Sequence, residues 1–283
     1  MGIIVILATI ILVSCKKTET TLSNYEKGYP KTANVSIQGQ LHNSFLTHFK
    51  NEFEINPSIK SVEQGIDYIC QFYADYTKTL NMENKEKNAL IKSLNKHRRF
   101  LDTQQFYDEL FGDNKSDADS TGMYFKATKH AHTIGIIDDF EYKKLDYIGQ
   151  IVKENYHGII SNEDLKEIII SINNDMKEHY GSNNSNNGQA LAYTISISLY
   201  SIEWWEENPD AFGDDNSLKV LPAWVGADIA GAAYGAIVAG TGSYITTGSV
   251  NWGAVGISAG AGAISGSTGI IGKAGKWLTS LLK

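Results

Sequence analysis

Residues 225–272 read VGADIAGAAYGAIVAGTGSYITTGSVNWGAVGISAGAGAISGSTGIIG, and every other part of the chain has to accommodate them. From Ile229 to Gly272 this segment runs 44 residues without a single Asp, Glu, Lys, Arg or His. It is built almost wholly of Gly, Ala, Ser, Thr, Ile and Val. Because it is uncharged over such a length, we expect the segment to pack into protein or lipid rather than to face water.

Small residues recur at every fourth position just before and within this segment. The first series is Ala223, Ala227, Gly231, Gly235 and Ala239, and the second is Ala254, Ser258, Gly262 and Gly266. On a helix this spacing makes one smooth stripe, along which the backbone of a second helix can approach closely. The sequence therefore predicts two helices, at residues 225–245 and 252–272, joined by a turn at 246–251 and packed as a hairpin.

The first residues determine the expected compartment. Residues 1–13 form a short apolar run that suits the core of a signal peptide and is too short to span a bilayer. Its ending, Leu12-Val13-Ser14-Cys15, resembles the lipobox of bacterial lipoproteins. The resemblance implies that Cys15 is acylated and that membrane lipid is the partner it binds. It places the protein in the bacterial cell envelope, at the outer membrane on its periplasmic or surface face.

The region between the leader and the hairpin has the apolar periodicity of amphipathic helices. Ser161 and Asp164 form a capping-box pattern at the start of the clearest helix, which Gly181 ends. Further helices are predicted at 136–156 and 189–207, and no segment alternates with a period of two for long enough to predict a strand. The sequence predicts an all-α protein, a multi-helix bundle with a C-terminal Gly/Ala-rich helical hairpin.

This pattern divides the chain into five parts. The predicted parts are a signal peptide (1–14), a lipidated flexible tether (15–35), an α-helical body (36–208), a linker (209–222) and a glycine-zipper hairpin (223–283). The formal net charge is −7, and the acidic excess lies in residues 1–220, since three Lys against Asp228 make the remainder basic. An acidic body excludes nucleic acid as a partner, because phosphate binding needs a basic face.

The sequence contains no convincing catalytic motif. His130-Ala-His132 is the only close pair among the seven histidines, and we expect it to lie at the surface or at a helix end. Gly256-Ile-Ser-Ala-Gly260 has the letters of a nucleophile elbow, but no histidine follows Ser258. The sequence therefore predicts no catalytic residue, no metal site and no cofactor.

Two hypotheses remain for the hairpin. Residues 223–276 resemble glycine-zipper segments, including those of bacteriocin-like membrane-active peptides, and this resemblance implies membrane insertion or self-association, with a toxin-like activity. The predicted membrane-interface residues are Trp224, Tyr244, Trp252, Lys273, Lys276 and Trp277. Asp228 lies one turn inside the first helix, where we expect its side chain still to reach water. The alternative is a structural or binding lipoprotein whose hairpin packs on its own body and has no membrane activity.

Overall fold

The computed structural model describes residues 38–40, 42–44, 46–47, 71, 75, 84, 88, 107–108, 110–112, 122–181, 187–208 and 220–268, with the backbone alone at 220–224, 265 and 267–268. The fold is all-α, and these residues include no strand. Cys15 and the divisions 1–14 and 15–35 lie outside the described residues, as do Lys273, Lys276 and Trp277. The division 209–222 is described only from residue 220 onward.

Three amphipathic helices form one side of the bundle. They are α1 (Met123–Thr133), α2 (Asp139–Tyr156) and α3 (Asn162–Tyr180). The side chain of Asp138 caps α2 by accepting a hydrogen bond from the backbone N–H of Glu141. The capping box predicted at the start of α3 is confirmed, since Ser161 and Asp164 exchange both bonds. Gly181 follows the last residue of α3, as the sequence predicts.

Helix α1 is an element that the sequence pattern did not reveal. Its eleven residues, MYFKATKHAHT, mix charged, polar and apolar side chains with little regularity. It forms because Tyr124 and Ala131 are fully buried against the neighbouring helices, and the hydroxyl of Tyr124 donates to the carbonyl oxygen of Leu145 in α2 over 2.6 Å. Tertiary contacts, rather than periodicity, determine this helix.

Helix α4 (Gln189–Glu207) occupies the bounds predicted for it and lies in the middle of the core. All its residues are buried except Glu203, Glu206 and Glu207 near its end. A helix that is apolar on every side can only be stable inside a protein or a membrane. Its β-branched Thr194, Ile195 and Ile197, unfavourable in an isolated helix, are therefore held in place by packing on all sides.

Two further helices, α5 (Val220–Thr247) and α6 (Trp252–Thr268), form the hairpin. Helix α5 packs against α6 and also against α4, α2 and α1. Every residue from 225 to 234 is buried. One continuous hydrophobic core joins the hairpin to the helices that precede it in the chain.

The hairpin gives the bundle two distinct ends. Asp228, near the start of α5, accepts hydrogen bonds from Ser201 and Trp205 late in α4. Tyr193, early in α4, donates to the carbonyl oxygen of Trp252, which follows the turn after α5. Helix α5 therefore runs antiparallel to α4. We call the end where α5 begins the closed end. We call residues 243–250, which carry the turn between α5 and α6, the tip.

Residues 38–40, 42–44 and 46–47 are helical and form an N-terminal segment beside α4. The amide of Asn43 donates to the carbonyl oxygen of Tyr200 over 2.8 Å, and the indole N–H of Trp204 donates to the hydroxyl oxygen of Thr47 over 2.8 Å. The second contact lies four residues further along both the N-terminal segment and α4, so the N-terminal segment runs parallel to α4. Its first residues therefore point toward the tip end of the bundle.

Candidate functional site

The helix-packing residues predicted from the small-residue spacing meet in pairs across the hairpin. A Cβ atom added at Gly231 would overlap the carbonyl oxygen of Gly262, and one added at Gly262 would overlap the carbonyl oxygen of Gly231. Gly235 has the same relation to the carbonyl of Ser258, and Gly266 to that of Ala227. No side chain larger than hydrogen fits at these glycines without a shift of the facing backbone.

These pairs define a single antiparallel register. Each step of four residues along α5 is matched by a step of four back along α6, from 227/266 through 231/262 to 235/258. The same register brings Ala239 opposite Ala254, both of which are partly exposed at the end of the interface nearest the tip. Close approach of two backbones along such a stripe maximises van der Waals contact.

The closed end contains a buried polar cluster around Asp228. The carboxylate oxygen Oδ2 accepts hydrogen bonds from the Ser201 hydroxyl over 2.6 Å and from the Trp205 indole N–H over 2.9 Å. His42 Nε2 lies 3.3 Å from the same oxygen, an ion-pair distance, although it lacks hydrogen-bond geometry. The expectation that Asp228 reaches water is wrong, because its side chain is fully buried.

This cluster joins three parts of the chain that are distant in sequence. His42 belongs to the N-terminal segment, Ser201 and Trp205 lie one turn apart on α4, and Asp228 lies on α5. A buried carboxylate is tolerated only when donors or an opposite charge compensate its lost hydration. Two donors do so here, and the His42 ring lies beside the same carboxylate oxygen.

The chemistry of the cluster is that of a structural polar contact rather than of a nucleophile. The hydroxyl proton of Ser201 is directed to the Asp228 carboxylate and not to the His42 ring, so the imidazole is not placed to activate the oxygen. His42, Ser201 and Asp228 are all fully buried, so a substrate has no direct access to them.

Tyr107 lies beside this cluster at the closed end. A Cβ atom at Gly226 would overlap its hydroxyl oxygen, and its ring stacks on Tyr156 with centroids 3.8 Å apart. Burial raises the pKa of Tyr107 well above its usual range, and the negative potential of Tyr156 and Asp228 adds to the effect. The phenol therefore remains neutral and packs as part of the core.

A second buried carboxylate, Glu141, lies at the opposite end of α4. It accepts hydrogen bonds from the backbone N–H groups of Leu191 over 2.8 Å and Gly188 over 3.3 Å, and so caps the start of α4 from the neighbouring helix. Burial raises the pKa of Glu141 to about 7, against the lowering effect of the Leu191 N–H. The nearby Asp138, whose charge also raises this pKa, accepts a hydrogen bond from the Tyr180 hydroxyl.

The predicted membrane-interface residues are placed differently from one another. Tyr244 is exposed near the tip, whereas Trp252 is partly buried against the core. The side chain of Trp224 lies outside the described part of the structure. Within the described residues, no helix combines the length and the apolar character needed to cross a membrane.

The remaining motifs have ordinary structural surroundings. His132 lies on α1, stacks on Tyr142 and contacts the carboxylate of Asp139 over 2.7 Å. In the part of the chain that the structure covers, no group of three or more His, Cys, Asp or Glu side chains is placed to hold a metal ion. Ser258 lies within α6 rather than after a strand, so the letters of the nucleophile elbow have no matching structure.

Sequence reasoning missed both buried carboxylates. The sequence did indicate that Asp228 is buried with partners. It is the last charged residue before the uncharged run, and a lone carboxylate in such a setting needs hydrogen-bond donors. Its partners Ser201 and Trp205 share the four-residue spacing of a helix face. No sequence pattern indicated the burial of Glu141, because its carboxylate oxygens accept hydrogen bonds from backbone N–H groups at the start of another helix.

Comparisons of the chain with protein-family models, with curated proteins and with solved structures found no match.

Proposed function

We propose that the protein is a lipid-anchored protein of the bacterial cell envelope, in which the Gly/Ala-rich hairpin is the internal scaffold of a helical structural or binding domain. The observation that carries this proposal is the position of α5. It is buried against α1, α2 and α4 as well as against α6, and Asp228 fixes it to α4 and to the N-terminal segment. A helix used in this way stabilises the body and does not need lipid.

The anchor is proposed from the lipobox at Cys15. The chain contains two cysteines, which provide a matched pair of variants. We expect the wild-type protein and Cys70→Ala to fractionate with membranes and to incorporate radiolabelled palmitate. We expect Cys15→Ala to lose the label and to become soluble after export. Equal labelling of wild-type and Cys15→Ala protein would refute the anchor.

The scaffold role is tested by removing the hairpin. We expect deletion of residues 221–283 to abolish the cooperative thermal unfolding of the remaining chain, as followed by circular dichroism, because the core of α4 would then be exposed to water. We expect Asp228→Asn in the full chain to reduce the cooperativity of thermal unfolding less than the deletion does. A truncated chain that unfolds as cooperatively as the full one would contradict this role.

A second candidate function is membrane insertion or self-association of the hairpin after it leaves the body. The observation that favours it is the lack of charge from Ile229 to Gly272, which lets the hairpin enter lipid. This function predicts dye release from liposomes by the full protein, and loss of that release in Gly231→Leu. The scaffold function predicts no release by either protein.

A further inference from the structure

The tip is the most exposed of the described parts of the hairpin, and it has no charge. Residues 244–249 are all exposed, including Tyr244 at 40% and Ile245 at 52% of their surface. These two are among the few large apolar side chains that the described chain exposes. The nearest charge before the tip along the chain is Asp228, which is buried at the other end of α5, about 24 Å away along the helix axis.

The polar groups of the tip are largely satisfied internally. The hydroxyls of Thr246 and Thr247 donate to the carbonyl oxygens of Gly242 and Ser243, four residues earlier. The Ser243 hydroxyl donates to the carbonyl oxygen of Ser249 over 2.8 Å. Because these donors already have partners, removing the tip from water costs less than its Ser and Thr content implies.

The N-terminal segment runs parallel to α4, so Gln38 lies at the end of this segment that faces the tip. Only 22 residues separate Cys15 from Gln38. Fully extended, that connection spans at most roughly 75 Å, so the anchored body remains near the bilayer.

We infer that the tip is a lipid-docking surface, which rests on the phospholipid bilayer into which Cys15 is anchored. Tyr244 and Ile245 enter the interfacial layer, where an aromatic ring with a polar end and an aliphatic side chain are both favoured. The contact is peripheral, since the rest of the hairpin stays in the body. This inference rests on the proposed lipid anchor for its orientation, and it adds a second, non-covalent contact with the same membrane.

The experiment replaces the natural anchor with a chemical one, so that failure of acylation and failure of docking are distinguished. The mature chain from residue 15, with Cys15→Ser, Cys70→Ser and an N-terminal hexahistidine tag, is held on vesicles of phosphatidylethanolamine and phosphatidylglycerol by nickel-chelating lipid. An environment-sensitive fluorophore is attached at Ile245→Cys or, as the matched control, at Ile159→Cys. Ile159 is also an exposed isoleucine, at 71%, and follows α2 at the closed end.

We expect the fluorophore at position 245 to emit at shorter wavelength on vesicles and to be quenched by lipids that carry a spin label near the headgroup. The fluorophore at position 159 should give the same spectrum with and without vesicles. Water-like emission at both positions would overturn the inference, and so would equal shifts at both, because those would indicate general adsorption or unfolding.

A second measurement uses the same chain without nickel lipid. We expect Ile245→Asp to lower the partition of the protein into these vesicles about tenfold, because it removes one aliphatic side chain from the bilayer interface. We expect Ile159→Asp to leave this partition unchanged. Equal partition of the two variants would contradict docking through the tip. Whether Cys15 is acylated in the cell is decided separately, by the palmitate labelling.

Discussion

Both ends of α5 consist largely of small residues, Gly and Ala at the closed end and Thr, Gly and Ser at the tip, and their surroundings are opposite. At the closed end every residue from 225 to 234 is buried, and Asp228 is bound by side chains from α4 and the N-terminal segment. At the tip, residues 244–249 are exposed. The difference shows that small, uncharged residues do not by themselves determine whether a helix lies in a core. The neighbouring helices decide it, because α4 and α2 contact the closed end, whereas the tip is left uncovered.

Among the variants that test this difference between the two ends, we expect Asp228→Ala to lose the most stability. It leaves the donors of Ser201 and Trp205 buried without their acceptor, which costs about 1 to 3 kcal/mol of unfolding free energy for each donor. Urea denaturation followed by circular dichroism measures this. Asp139→Ala, whose carboxylate side chain is 83% exposed, is the control and should change stability by less than about 0.5 kcal/mol. Equal stability of the two variants would show that the cluster does not hold the closed end.

The next effect concerns pH at the start of α4, on the tip side of the bundle. The pKa of Glu141 is about 7 in the folded state against 4.5 unfolded, so the folded state binds more protons between these values. The stability this group contributes is complete below pH 4.5 and is lost as the pH rises through 7. The loss amounts to about 3 kcal/mol.

Glu141→Gln provides the control for this prediction. The amide cannot ionise, so we expect unfolding free energies measured at pH 5 and pH 8 to differ less in the variant than in the wild type. Because the unfolding free energies of both proteins are compared at the same pH, the other titrating groups cancel in the difference. A wild-type protein that gains stability over this range relative to Glu141→Gln would reverse the assigned sign.

A smaller effect separates two glycines of the same helix. Gly231→Ala places a methyl group against the backbone of Gly262, and we expect it to cost about 1 to 3 kcal/mol despite the better helix propensity of alanine. Gly242→Ala meets no atom within 4 Å and should instead stabilise α5 by about 0.5 to 1 kcal/mol. Thermal or urea unfolding of both variants measures the opposite signs. Equal destabilisation by the two variants would show that the glycine spacing does not serve the close approach of the two helices.

The smallest effect on stability is expected at the tip itself. Ile245→Ser removes a side chain that is 52% exposed, so the unfolding free energy in solution should change by less than about 0.5 kcal/mol. Ile237→Ser, at the buried part of the same helix, should cost several times more, because that side chain is 1% exposed. A similar cost at both positions would remove the difference between the two ends.

Most of the fold could be predicted from local patterns. The bounds of α4, the capping box of α3 and the hairpin with its turn near residues 246–251 all follow from periodicity and end signals. The helix α1 could not be predicted in this way, because its residues acquire their order from packing on α2. The part of the predicted α-helical body that precedes residue 107 lies almost wholly outside the described residues.

The sequence by itself determined the all-α class, because apolar periods, capping residues and glycine spacing act through neighbours on the same helix. It also supplied a helix pair able to approach closely. Only the tertiary structure decided that this pair lies within the body and that Asp228 is buried beside Ser201, Trp205 and His42. It likewise decided that Glu141 caps a distant helix. Such contacts join residues far apart in the chain, so no local pattern encodes them, and their free energy depends on which surfaces are left in water after folding.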